Sequence, residues 1–145
     1  IYNIVGTGTE LERLSFAVYQ CGLQDNVFFT GRKEHKEINQ MMRESDIYIQ
    51  TSLQEGFCVS VLEAQATGLL CIVSDADGLK ENVKDGVTGW TVKRREPGEF
   101  ASKIEYVINL PEEKRKEISI NARKRVEENF TIEEQNLLFK EFFNS

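Results

Sequence analysis

The chain has 145 residues, 40% of them hydrophobic and 10% aromatic, enough for one domain with a two- or three-layer core. Its 18 basic and 24 acidic residues leave a net charge of −6, the opposite of what grips a phosphate backbone, so nucleic acid is excluded as a partner. The longest apolar runs fall far short of a bilayer span and no basic, apolar leader is read at the start. The expectation is a cytoplasmic protein, neither secreted nor inserted.

The first residues, Ile1-Tyr2-Asn3-Ile4-Val5-Gly6, already have a strand pattern without an initiator Met, as expected for an excised piece of a longer protein. Strands are predicted at Tyr2 to Val5, Val27 to Thr30, Ile47 to Thr51 and Cys71 to Ser74, with a shorter one at Thr88 to Val92. The first four carry little polar interruption, as strands buried on both faces do. Helical periodicity lies between them at Leu11 to Tyr19, at His35 to Glu44 and at Ser60 to Thr67. Strand alternating with helix implies a mainly parallel sheet with helices on both faces. After Trp90 come charged helices: Pro97 to Asn109, Pro111 to Asn129, and Thr131 to Phe143 with Thr131 as N-cap. Glu112 to Glu117 is a mixed-sign cluster that reads as a solvated helix face. Cys21, Cys58 and Cys71 lack C-x-x-C spacing and are expected as buried free thiols in a reducing compartment.

Ligands of open α/β sheets sit beyond the carboxyl ends of the strands, so the loops that follow strands are the candidates for chemistry. Val5-Gly6-Thr7-Gly8-Thr9-Glu10 runs from strand to helix through two glycines that permit close backbone approach, but it lacks the third glycine of G-x-G-x-x-G. A tight turn with no ligand explains it equally well. Ser52 to Ala64 is more informative: Glu55 stands in a loop after a strand, Gly56 follows it, and Glu63 lies about one turn into the next helix. A helix start offers unpaired N–H groups and a positive dipole end to a diphosphate. A carboxylate beside it can accept hydrogen bonds from vicinal sugar hydroxyls. Two carboxylates flanking one such start suggest a sugar at each end of a diphosphate. Glu63 stands among Val61, Leu62 and Ala64, where an unpaired charge would be costly.

This stretch resembles the signature of the large retaining glycosyltransferase family with the two-domain GT-B architecture, glycosyltransferase family 4 or glycosyl transferases group 1. The family pattern S-x-x-E-G-F-G-x-x-x-x-E-A-x-A-x-G stands at Ser52 to Gly68, with Cys58 in place of a glycine. I-V-G-x-G at Ile4 to Gly8, V-x-F-x-G at Val27 to Gly31 and D-G-L-K-E-N-V-x-D-G-x-T-G at Asp77 to Gly89 surround it in the family order. The resemblance covers nearly the whole chain and implies the C-terminal, donor-binding domain, with a Rossmann-like parallel sheet and extra C-terminal helices. It implies Glu55 at the hydroxyls of the transferred sugar, as the catalytic residue, and Glu63 at the ribose. It places the N–H groups of Gly56, Phe57, Cys58 and Val59 at the diphosphate, Gly6 and Gly8 in the donor loop, and Gly31, Arg32 and Lys33 near the base. Gly78 and Glu81 are added as candidates for the pocket lining.

The same resemblance implies a UDP- or GDP-sugar donor, no metal and no other cofactor. It implies transfer of a hexose with retained anomeric configuration, the donor's own phosphate oxygen assisting the acceptor. A glycan or lipid-linked acceptor, an N-terminal domain to hold it, an upstream Arg and Lys, and peripheral contact with the inner face of the cytoplasmic membrane complete the expectation. The 145 residues alone are expected to bind donor weakly and transfer nothing. Other readings remain: a GT-B epimerase or synthase, or a non-catalytic flavodoxin-like module. His35 reads as a surface residue at a helix start, and Asp75, Asp77 and Glu81 as turn and cap residues rather than a metal cluster. The final helix carries Leu137, Leu138, Phe139, Phe142 and Phe143, an apolar face for either the N-terminal domain or its own sheet.

Overall fold

The computed structural model describes residues 1–131, so the expected last helix lies outside the described residues. The chain divides into two compact units, Ile1–Gln40 and Met41–Ser145. In each, strand and helix alternate and paired strands run parallel, giving an α/β, Rossmann-like fold.

In the first unit, strand β1 (Tyr2–Val5) pairs with β2 (Val27–Gly31), from Tyr2 opposite Val27 to Val5 opposite Gly31, with a register shift after Ile4. Helix α1 (Leu11–Gln20) makes the crossover, and α2 (His35–Arg43) follows β2. Two glycines permit the strand ends: Gly6 at φ 122° and Gly31 at φ 69° hold conformations that side chains disfavour. The Gly6 N–H donates to the Gly31 carbonyl at 2.8 Å.

In the second unit, β3 (Ile47–Gln50), β4 (Leu70–Ser74) and β5 (Trp90–Val92) form a parallel sheet in that spatial order. Helix α3 (Val59–Thr67) links β3 to β4, and α4 (Asp77–Asn82) lies between β4 and β5. Helices α5 (Pro97–Ile108) and α6 (Glu112–Asn129) follow. Successive strand residues face opposite ways. Leu70 and Ile72 therefore share one face, where they join Trp90, Val92, Phe100, Val107 and Ile118 in the core. Cys71 and Val73 face the other way and are equally inaccessible. Each such side chain contributes about 1.5–3 kcal/mol of apolar burial.

Helix α6 braces α3. Ser119 Oγ donates to the Gly68 carbonyl at 2.7 Å and Arg123 Nη2 to the Thr67 carbonyl at 2.9 Å, satisfying acceptors that a helix C-terminus leaves open. Beyond the other end of α3, the Phe130 ring packs on Phe57 with centroids 5.8 Å apart. Arg125 stacks on Phe130 and donates to the Glu81 carbonyl at 2.7 Å.

Several expectations change. Only β4 is buried along its length, whereas β1 is mostly exposed and β3 half-buried; hydrophobic composition alone does not distinguish a central strand from an edge strand. The short strand begins at Trp90 rather than Thr88, because Gly89 turns the chain at φ 151°. Helix α4 forms where only turn and cap roles were expected, and Asp77 occupies its first turn while Ala76 is the cap residue. Pro111 is the cap of α6, not part of its first turn. Cys21 is exposed, just past the amphipathic α1, while Cys58 and Cys71 are buried.

Candidate functional site

The sequence-predicted residues of the first unit gather at the strand ends. Gly6 and Gly31 are hydrogen-bonded to each other, and the Gly8 carbonyl accepts the N–H of Leu11 as α1 begins. Arg32 is exposed. Lys33 Nζ is 2.9 Å from Glu37 Oε1, and Glu37 also accepts the Glu34 N–H at 3.0 Å. That backbone hydrogen bond first, then Lys33, holds the Glu37 carboxyl below its ordinary range. His35 opens α2 and is exposed.

The second unit carries the two glutamates. Glu55 is half-buried in the β3–α3 loop, and its Oε1 accepts Ser52 Oγ at 2.8 Å and Gln50 Nε2 at 3.4 Å. Among the described residues no hydrogen bond is made by Oε2. Gln50 Nε2 also donates to Ser52 Oγ at 2.7 Å. The Tyr48 hydroxyl lies 2.8 Å from Gln50 Oε1 and 2.9 Å from Ser60 Oγ. It has one proton, and an amide oxygen can only accept, so Tyr48 donates to Gln50 and Ser60 donates to Tyr48. Cys58 Sγ sits 3.2 Å from Ser60 Oγ at the far end. This polar row ties Glu55 to the first turn of α3.

Glu63 is the fifth residue of α3, half-buried between inaccessible neighbours Leu62 and Ala64. Burial pushes the Tyr48 hydroxyl up to about 12; the Ser60 hydrogen bond opposes this and the Glu63 charge adds to it. Glu55 joins this hydrogen-bonded row through Ser52 and Gln50. Burial also pushes the Cys71 thiol up, keeping it protonated.

The start of α3 leaves several backbone N–H groups open. No side chain caps it. The N–H of Cys58 is taken by Asn82 Oδ1 at 3.2 Å, and that of Val61 by the Cys58 carbonyl at 3.2 Å. The N–H groups of Gly56, Phe57, Val59 and Ser60 have no acceptor among the described residues. Of the N–H groups expected at the diphosphate, from Gly56 to Val59, that of Cys58 is occupied, and the N–H of Ser60 is open beside them. Phe57 is 40% exposed and leans on Phe130.

Two further clasps fix the Glu55 loop. Gly78 donates its N–H to the Glu55 carbonyl at 3.2 Å, and a Cβ on Gly78 would collide with the Gly56 carbonyl. Asp75 accepts the Arg94 N–H at 2.9 Å, and Arg94 Nη1 donates to the Leu53 carbonyl at 2.9 Å. Asp75 therefore belongs to a loop clip, and among the described residues no three His, Cys, Asp or Glu side chains converge as a metal site requires. Open depressions of about 540 and 580 Å³ lie elsewhere, one lined by Gly98, Glu99, Ser102 and Lys103, the other by Ser45, Gly68, Arg115 and Ser119. Neither includes Glu55 or Glu63.

Motif reading singled out Glu55, Glu63 and their loop but not the residues that hold the loop: Tyr48, Gln50, Asn82 and Arg94. The first two were detectable: polar residues alternating with Ile47 and Ile49, which pack toward the core, mark the opposite strand face as polar. Asn82 and Arg94 act across the fold and leave no local signal.

The alternating, parallel α/β fold is that of GT-B glycosyltransferases of known structure. HepE of Anabaena, crystallised in complex with UDP and glucose, is 26% identical with a TM-score of 0.90 over 98% of this chain and 40% of its own. The C-terminal domain of the group 1 glycosyl transferase LpcC of Francisella tularensis is 28% identical with a TM-score of 0.77, covering 87% of this chain and 66% of that one. The model of the glycosyl transferases group 1 family matches residues 1–125, and the chain belongs to that family. Among curated relatives, trehalose synthase of Pyrococcus horikoshii is 34% identical over 110 residues, 76% of this chain and 26% of the relative. An uncharacterised glycosyltransferase of Methanocaldococcus jannaschii is 31% identical across 99% of this chain and 36% of its own length. The chain thus spans only about a quarter to a third of these two relatives.

Proposed function

We propose that this chain binds the nucleoside-diphosphate sugar of a retaining transferase that delivers a hexose, from a UDP- or GDP-sugar, to a glycan or lipid-linked acceptor. The observation that carries the reading is the Glu55 carboxylate, held by one oxygen beside a helix start with open N–H groups, with Glu63 one turn further on. Glu55 Oε2 takes hydroxyls of the transferred sugar, the N–H groups of Val59 and Ser60 face the diphosphate, and Glu63 takes the ribose. Gly6 and Gly8 admit the donor, while Gly31, Arg32 and Lys33 meet the base. Preorganised donors at the departing diphosphate stabilise the negative charge that develops as the anomeric bond breaks. The donor's phosphate oxygen assists the acceptor hydroxyl on the same face, without a metal or other cofactor.

That HepE was solved with UDP and glucose supports the donor class, and relatives named for colanic acid and amylovoran biosynthesis support a role in cell-surface polysaccharide synthesis. The acceptor would be held by an N-terminal domain of the intact protein, at the inner face of the cytoplasmic membrane, and these 145 residues alone would bind donor without transferring it. A second reading, a synthase joining two sugars, is favoured by the trehalose synthase relative; product analysis with a panel of acceptors separates the two.

Calorimetric titration of the intact protein with UDP- and GDP-sugars tests the proposal. One donor should bind, Glu63→Ala should weaken it about tenfold, as loss of a hydrogen bond to a charged group does, and unchanged affinity would remove Glu63 from the ribose.

A further inference from the structure

Asn82 is fully buried, its Oδ1 accepting the Cys58 N–H and its Nδ2 without a hydrogen-bond partner among the described residues. The orientation is fixed, because an N–H needs an oxygen opposite it and a turned amide would set donor against donor. A buried donor left empty is costly, and a leucine of similar volume would avoid that cost. What leucine could not supply is the acceptor. Gly78 lies four residues earlier, on the same face of α4. Its N–H holds the Glu55 carbonyl, and its missing Cβ lets the Gly56 carbonyl approach. Two residues one turn apart thus grip the loop at both ends, by the carbonyl of Glu55 and the N–H of Cys58.

We propose that Asn82, with Gly78, is a positioning residue that sets the peptide planes of Glu55 to Cys58, so that the loop's remaining N–H groups and those of Val59 and Ser60 point together at the diphosphate. Asn82 does not touch the donor; it withdraws one N–H from the cradle and so selects which ones serve. The inference rests on the donor-binding reading and adds to it the residue that orients the cradle.

The test uses the intact protein carrying Asn82→Leu or Asn82→Asp. Affinities for UDP and GDP are compared with those for uridine and guanosine, and exchange of the Cys58 amide proton is followed. Asn82→Leu should lower the preference for diphosphate over nucleoside about tenfold, the scale of one displaced hydrogen bond, and should speed Cys58 exchange. Asn82→Asp, which keeps an acceptor, should leave that amide protected. An unchanged preference in Asn82→Leu, or equal loss of nucleoside and diphosphate, overturns the proposal. If the leucine variant does not fold, loss of Cys58 protection in the aspartate variant overturns it instead. A wild type that does not prefer diphosphate would defeat the donor reading, while amide exchange still judges the latch.

Discussion

Arg94 and Asp75 form a clip that reaches the Glu55 loop: Arg94 Nε lies 3.3 Å from Asp75 Oδ1 while its Nη1 holds the Leu53 carbonyl. Both side chains are partly exposed, so the ion pair itself contributes little stability. Its effect is local, because it fixes the backbone two residues before Glu55. Arg94→Ala should raise the donor KM of the intact enzyme roughly fivefold, at the upper end for one exposed polar contact, with little change in Tm. An unchanged KM would show the loop to be held without the clip.

Asp75 also sets an acid limit. The Arg94 backbone hydrogen bond, aided by the Arg94 and Lys80 charges, holds its carboxyl below the usual range. A depressed carboxyl contributes stability above the unfolded-state pKa and loses it as pH falls through the folded one. The clip should therefore persist through neutral pH and release only below the ordinary carboxylate range. Denaturation midpoints of Asp75→Asn should show a shallower acid decline than wild type.

Gly78→Ala would drive a methyl group into the Gly56 carbonyl. Overpacking of this kind costs about 1–3 kcal/mol. Urea denaturation should show that loss, and donor binding should weaken further because the loop must shift to make room.

Gln50→Leu removes the hinge of the polar row between Tyr48 and Glu55. Glu55 would keep only Ser52, so its carboxylate, proposed to meet the sugar, would sample more rotamers. The expected outcome is a fall in kcat of about tenfold, the value of one or two hydrogen bonds felt at the transition state. The fall should exceed any change in nucleoside affinity.

Tyr48 predicts an alkaline limit. Its hydroxyl is pushed up to about 12 from an unfolded value near 10, so the folded chain keeps the proton longer. That stability is complete below about pH 10 and is lost as pH rises toward 12. Tyr48→Phe should flatten the decline of the denaturation midpoint across that interval.

The strand-helix alternation and the glutamate loop were legible because each rests on local rules: periodicity, glycine turns, and a fixed spacing of Glu55 and Glu63. Strand burial was not, since Tyr2 to Val5 and Leu70 to Ser74 are similarly apolar while only the second is covered throughout. Helix α4 escaped notice because six residues around Gly78 hold too little periodicity to register. The clasps on the loop escaped for a different reason: Cys58 with Asn82 and Leu53 with Arg94 are 24 and 41 residues apart, and no local pattern announces such pairs.

The brace along α3 has a consequence for biosynthesis. The carbonyls of Thr67 and Gly68 are satisfied by side chains 56 and 51 residues later, and Phe57 waits for Phe130. On a ribosome adding residues from the N-terminus, the segment bearing Glu63 emerges well before the helix that secures it. Closing contacts of such sequence separation is slow, so the braced α3 is a late product of synthesis, and a chain stalled ahead of Glu112 would present Glu63 on an unsecured helix.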